Sequence, residues 1–226
     1  MKRGKKYLES QKKYNPAASY ELEEGMGLVK TMASAKFIET VELHVKLNLK
    51  KSQSVRDTVV LPHQFRGEKK ILVFCKPEKE NEAKEAGAAF IGSDDLIEKV
   101  KGGWTDFDVA VATPDMMKDV GKLGMVLGRK GLMPNPKTGT VTFDLKNTLA
   151  ELQKGRIEFR ADKTGVVHLA VGKVSMEPAQ LAENVMAVVT EIKRRRPADA
   201  KGEFIRSVSV TSTMGPGVWI AITDQE

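Results

Sequence analysis

The sequence predicts an α/β protein of two domains. One is a discontinuous α+β sandwich domain with an antiparallel or mixed sheet. The other is an inserted Rossmann-like three-layer α/β domain with a parallel sheet. Three observations carry this. Short, wholly apolar runs alternate with charged helical stretches in the middle of the chain. Long two-residue alternation of apolar and polar residues marks the flanks. Cations outnumber acids outside residues 68–155 and balance them inside. The expected division is therefore 1–67 with 156–226, and 68–155.

Along the chain, "YELEEGMGLVKTMA" places Leu22, Met26 and Val29 on one helical stripe. "VELHVKLNL" alternates, with Val41, Leu43, Val45, Leu47 and Leu49 on one face and Glu42, His44, Lys46 and Asn48 on the other, as a half-buried strand does. "ILVFCK" reads as a fully buried strand, followed by the helix "PEKENEAKEAGA", the stretch "AFIG" and a helix capped by Ser93. "FDVAVAT" is another buried strand, and Thr113-Pro114 opens the helix "DMMKDVGKLGMVL". The strand "TVTFDL" is expected after it. "RIEFRAD" and "VVHLAV" alternate around a Lys163-Thr164-Gly165 hairpin turn. Leu181, Val185, Val188 and Ile192 form a helical stripe, and "SVSVTST" turns Val208 and Val210 inward and Ser207, Ser209, Thr211 and Thr213 outward.

Composition narrows the function. The N-terminus "MKRGKKYLESQKKYN" has no apolar core for a signal peptide, and no apolar run reaches transmembrane length. One cysteine, Cys75, permits no internal disulfide and fits a reducing cytoplasm. The net charge of +7 suits a polyanionic partner.

The stretch "GRKGLMPNPKTGTV", residues 128–141, invites comparison with a phosphate-binding loop. Pro136 stands where that motif needs its second glycine, and Pro134 and Pro136 have no N–H to offer a phosphate. The expected order of strand, loop and helix is also reversed. A rigid surface loop and a basic loop touching nucleic-acid backbone both remain open for it.

The three histidines, His44, His63 and His168, show no ligand spacing, so structural or surface roles are expected. Cys75 lies in a buried strand without a base and reads as a core residue. No arrangement of nucleophile, base and orienting group can be assembled. Two exposed features point instead to RNA. "TSTMGPG" carries hydroxyls into a glycine-rich turn that permits close backbone approach. In "AKFIETVE", Phe37 beside Lys36 is either core or a stacking contact. Thr213→Val is expected to weaken RNA binding and to leave folding nearly unchanged.

These residues resemble those of the bacterial ribosomal protein L-one family, across "AKFIETVELHVKLN", "DTVVLPH", "ATPDMM", "GRKGLMPNPKTGTV", "FRADKTGVVHLAVGK" and "VTSTMGPG" in that order. The resemblance implies two domains, the first made by both chain ends. It implies a cytoplasmic ribosomal protein, monomeric when free, that binds large-subunit rRNA and builds the mobile stalk at the exit site. Further implied partners are exit-site tRNA, whose release the stalk aids, and the protein's own operon mRNA, whose translation it represses. No catalysis, cofactor, metal or membrane is implied. By the family pattern, the RNA contacts fall on Lys36, Phe37, Thr40, Glu42, Thr164, Ser207, Thr213, Met214 and Gly215. The chain departs from the family at Gln64-Phe65, where glycine is usual. The alternative from another class is a nucleotide-dependent enzyme using the inserted parallel sheet.

Overall fold

A computed structural model describes residues 4–50, 53–67, 69–197 and 202–222. The chain divides into two compact units, Met1–Phe65 with Glu158–Glu226, and Arg66–Ile157.

In chain order the first unit begins with α1 (Lys5–Gln11), β1 (Ser19–Tyr20), α2 (Leu22–Met32), β2 (Thr40–Leu47) and β3 (Arg56–Val60). The second unit contains β4 (Ile71–Phe74), α3 (Glu80–Glu85), β5 (Phe90–Gly92), α4 (Asp94–Lys101), β6 (Val109–Ala112), α5 (Met117–Val120), α6 (Gly124–Arg129) and α7 (Leu145–Gln153). The chain then returns through β7 (Arg156–Arg160), β8 (Val166–Lys173), α8 (Pro178–Arg194), β9 (Ile205–Ser212) and β10 (Val218–Ile220).

The first unit is built on a sheet of order β1-β10-β9-β2-β8, parallel at β1–β10 and antiparallel elsewhere, hence mixed. Val41, Leu43, Val45 and Leu47 of β2 are all buried, and the residues between them are partly exposed. Burying each such side chain stabilises the fold by about 1.5–3 kcal/mol. A register slip of one residue would turn all four to water, so the alternation itself fixes the pairing. The buried stripes of α2 (Met26, Val29, Met32) and α8 (Leu181, Val185, Val188, Ile192) supply the helical side of this core. Glu177 and Gln180 form a capping box at the start of α8, with Pro178 in its first turn.

In the second unit β5, β4 and β6 form a parallel sheet. The alternation of β4 feeds two separate cores. Leu72 and Phe74 pack with Leu96, Val100, Val120 and Leu127 on one face. Ile71 and Val73 pack with Ala83, Leu145 and Leu149 on the other, where Cys75 is also buried. Burial pushes the Cys75 thiol pKa up, as an inert core cysteine requires.

Several local expectations are corrected. "TVTFDL" is not a strand: Val141 makes one parallel bridge to Ala112. Asp144 then ends the extended run by accepting a hydrogen bond from Asn147 N at 3.2 Å and starting α7, a helix the alternation of "TVTF" masked. The expected continuous helix over "DMMKDVGKLGMVL" is instead two short α segments joined by a 3-10 turn, with Gly121 and Gly124 at the joins. Ser93 occupies the cap position of α4 but makes no side-chain cap bond; Asp94 and Asp95 sit in the first turn, where acids suit the dipole. The hairpin turn at 162–165 forms, yet β7 pairs with β3 in a separate two-stranded sheet and meets β8 only at the bridge Ala161–Val167.

Candidate nucleic-acid interface

The linker between α2 and β2 and the turn after β9 come from opposite chain ends, and Glu39 locks them together. Its Oε1 accepts hydrogen bonds from Ser34 N at 2.9 Å and Ala35 N at 2.8 Å. Its Oε2 accepts one from Met214 N at 3.0 Å. Glu39 is only 1% exposed. Burial alone would raise its pKa, but the backbone donors, led by Met214, outweigh it and hold the carboxyl below its ordinary value. The buried Ser212 hydroxyl beside it makes no well-formed hydrogen bond.

A second clasp lies beside the first. Thr213 N donates to Thr40 O at 3.1 Å, and Thr40 N donates to Thr213 Oγ1 at 3.0 Å. The Thr211 hydroxyl points into the turn, donating to Ser212 O at 2.9 Å and lying within reach of Gly215 O and Pro216 O. Gly215 is needed for space: a Cβ there would come within 2.5 Å of Ser212 Oγ. Around this locked junction Phe37 (58% exposed), Ile38 and Met214 (63% exposed) project outward, with Lys36 exposed beside them.

The remaining site residues lie along the sheet face that carries no buried side chains. Glu42 sits opposite Thr211 on β9 and Ala170 on β8. Lys46 sits opposite Ser207 and Val166, and its Nζ donates to Thr164 O at 2.5 Å. Thr164 is held by Asp162, which accepts from Thr164 N, Thr164 Oγ1 and Val166 N, each at 2.8 Å. The Val166 bond leads the causes that lower the Asp162 pKa. The expected positions therefore form two clusters. Lys36, Phe37, Thr40, Thr213, Met214 and Gly215 gather at one end with Glu42 next to them, and Thr164 and Ser207 gather near Lys46. Thr40 and Lys46 are six steps apart along β2, or roughly 20 Å.

Two outward hydroxyls are not free. Those of Thr211 and Thr213 are committed within the protein, so the expectation that Thr213→Val leaves folding nearly unchanged is corrected. The substitution removes the Thr40 N–H's side-chain partner in a partly exposed site and should lower stability by about 0.5–1.5 kcal/mol, read as an earlier urea midpoint. A midpoint equal to that of the unmodified protein would contradict the clasp.

Sequence reading missed Glu39. The signal was present: Glu39 shares the parity of Val41, Leu43 and Val45, so the strand pattern points an acid inward, where it must find donors. It also missed the meeting of His44 and His168, whose Nδ1 atoms lie 2.8 Å apart across β2 and β8.

The 128–141 loop is self-satisfied. Asn135 Oδ1 accepts from Lys137 N at 2.9 Å, Asn135 O accepts from Thr138 N and Thr140 N, and Arg156 Nη2 donates to Thr138 O at 3.0 Å. Gly139 adopts φ +66°, and a Cβ there would meet the Arg156 guanidinium. The N–H groups of Lys137, Thr138, Gly139 and Thr140 are used inside the loop, so they form no phosphate cradle. Among the described residues, no group of three or more His, Cys, Asp or Glu could hold a metal ion, and no helix is long and apolar enough to cross a membrane.

Comparison with known proteins agrees with the residue patterns. The chain is 66% identical over 220 residues to the large ribosomal subunit protein uL1 of Treponema denticola, covering 97% of each chain. It is 59% identical to the protein of that name from Treponema pallidum over the full length of both. The Leptospira biflexa protein of that name is 54% identical, covering 99% of this chain and 97% of the relative. A family model spans residues 29–216, which takes in both halves of the Glu39 junction and everything between them, and on that match the chain belongs to the ribosomal protein L1p/L10e family.

Proposed function

We propose that this protein is a structural constituent of the large ribosomal subunit that binds large-subunit rRNA through the outer face of its mixed sheet. Membership of a ribosomal-protein family makes it a ribosomal component and not an enzyme. The observation that carries the rRNA reading is the Glu39 junction. A buried carboxylate fixes two turns from opposite chain ends so that Phe37 and Met214 stand exposed beside a face of small polar side chains. Preorganised apolar groups suit base stacking, and serine and threonine suit the sugar–phosphate chain. The relatives carry large-subunit names, which supports the same partner.

On this reading the unit formed by both chain ends anchors the protein to rRNA. The inserted unit, with Arg129, Lys130 and Lys137 on its proline-bearing loop, faces tRNA at the exit site and helps deacylated tRNA to leave. The same RNA surface binds a copy of the rRNA site on the protein's own messenger and represses its translation. The two compact units support this division of labour, as does the balance of cations and acids over residues 68–155.

The test is binding to a transcribed rRNA stalk fragment. Phe37→Ala should weaken it by about 1–3 kcal/mol, roughly 5- to 150-fold, the range for lost base–aromatic stacking, and Met214→Ala, which removes only apolar contact, should weaken it less. Log affinity should also fall linearly with log salt, because cations meet phosphate. Unchanged affinity in both variants would sink the assigned surface.

A further inference from the structure

The two clusters of the proposed RNA face are separated by one lateral row of the sheet. It runs Trp219, Ser209, His44, His168 across β10, β9, β2 and β8, by the pairings Trp219–Ser209, Ser209–His44 and His44–His168. At its centre the two imidazoles meet edge-on, with ring centroids 5.0 Å apart and planes at 64°. Their Nδ1 atoms lie at 2.8 Å, hydrogen-bond distance.

That contact admits one proton and no more. If both Nδ1 atoms carried hydrogen, two N–H groups would point at each other. Asp162 Oδ2 lies 3.9 Å from His168 Nε2, which favours hydrogen on that nitrogen and leaves His168 Nδ1 as the acceptor. His44 is then the donor. Its Nε2 can take a first proton without breaking the bond. A second proton must enter at His168 Nδ1 and breaks it, placing two cations side by side.

Among the described residues, the charged groups around the pair are few. Glu42 and Lys46 flank His44 on β2, one of each sign. Asp162 faces His168 from the turn. β9 presents Ser207, Ser209 and Thr211, and β8 presents Val166 and Ala170, all neutral. α2 and α8 bury their stripes in the core on the opposite side of the sheet. Burial first, and His168 second, hold the His44 pKa below its ordinary value, with Glu42 opposing.

We infer that the His44–His168 pair couples RNA binding on this face to proton uptake, so that affinity for RNA rises as pH falls through neutrality. The inference rests on the outer sheet face being the RNA surface. A phosphate chain drawn between the Phe37 and Thr164 clusters passes over the pair. Its negative charge favours the imidazolium that the free protein disfavours. The sign follows: the complex holds more protons than the separate partners, so lowering the pH favours the complex.

The experiment measures the affinity of the full chain for the transcribed rRNA stalk fragment at pH 6, 7 and 8 and constant ionic strength. Binding should tighten about three- to tenfold from pH 8 to pH 6, as uptake of up to one proton allows. His44→Gln and His168→Gln should each flatten that dependence, and His63→Gln should keep it. Calorimetry of the unmodified protein in two buffers of different ionisation enthalpy should register net proton uptake near pH 7. A flat profile or zero uptake for the unmodified protein overturns the inference, as does an unchanged slope in both histidine-pair variants. Absence of RNA binding at every pH would instead bring down the proposed function on which the inference stands.

Discussion

Replacing Glu39 by alanine should destabilise the first unit by about 3–5 kcal/mol, a large share of the stability of an ordinary domain. The reason is the number of donors that lose their acceptor. Ser34 N, Ala35 N and Met214 N all bond to this one carboxylate in a site closed to water. Each orphaned donor costs about 1–3 kcal/mol, and the total is held down because the freed turns can reach solvent. Glu39→Gln should cost roughly half as much. Its carbonyl still serves Ser34 and Ala35, but its amide then faces the Met214 N–H donor to donor. Because the folded pKa of Glu39 lies below its unfolded value, its contribution is present at neutral pH. It is lost as pH falls through the folded pKa, so acid should open this junction. Urea unfolding of Glu39→Ala within about 1 kcal/mol of the unmodified protein would contradict this account. In binding experiments the variant should also lose rRNA affinity, since Phe37 and Met214 no longer hold a common position.

Asn184→Ala is expected to cost about 2–4 kcal/mol. Asn184 is fully buried on the apolar stripe of α8. Its Oδ1 accepts from His63 N at 2.9 Å, and its Nδ2 donates to His63 O at 2.9 Å and Val171 O at 2.8 Å. One side chain thus satisfies both backbone groups of His63 and ties them to β8. His63 lies just before the chain leaves the first unit at Phe65. The clamp therefore sets where the ordered path of that unit ends. Alanine leaves one N–H and two carbonyls without partners. Amide hydrogen exchange at His63 should quicken along with the loss of stability. Protection of His63 equal to that of the unmodified protein would mean another group holds this segment.

Much of the fold was legible because single residues report burial directly. Val41 to Leu47 could face only one way, and the wholly apolar "ILVF" needed cover on both sides. Where two periods overlap, the reading failed. "TVTF" alternates like a strand, but Asp144 caps a helix immediately after it, and the capping bond outweighs the pattern. β7 alternates as well, yet alternation says nothing about which strand it joins, and it joins β3. Within the candidate site, the side-chain types of Phe37, Thr213 and Met214 were suggestive on their own. What tied them into one place was not. Glu39 could be found only by treating an acid at an inward position as a question. Asn184 was legible in the same manner, as an amide between Leu181 and Val185 on a buried stripe. The His44–His168 contact joins residues 124 positions apart, and no local pattern encodes that pairing.

The clasp between Thr40 and Thr213 spans 173 residues of sequence. β2 has its two sheet partners, β8 and β9, only in the last third of the chain, whereas the second unit is continuous. During synthesis the second unit can therefore fold while β2 still waits. At the usual pace of translation, about 5–20 residues per second, that wait lasts roughly 10–35 s. The Phe37 and Met214 surface does not exist until Met214 has emerged. A nascent copy that ends before Met214 thus lacks the surface proposed here to engage RNA.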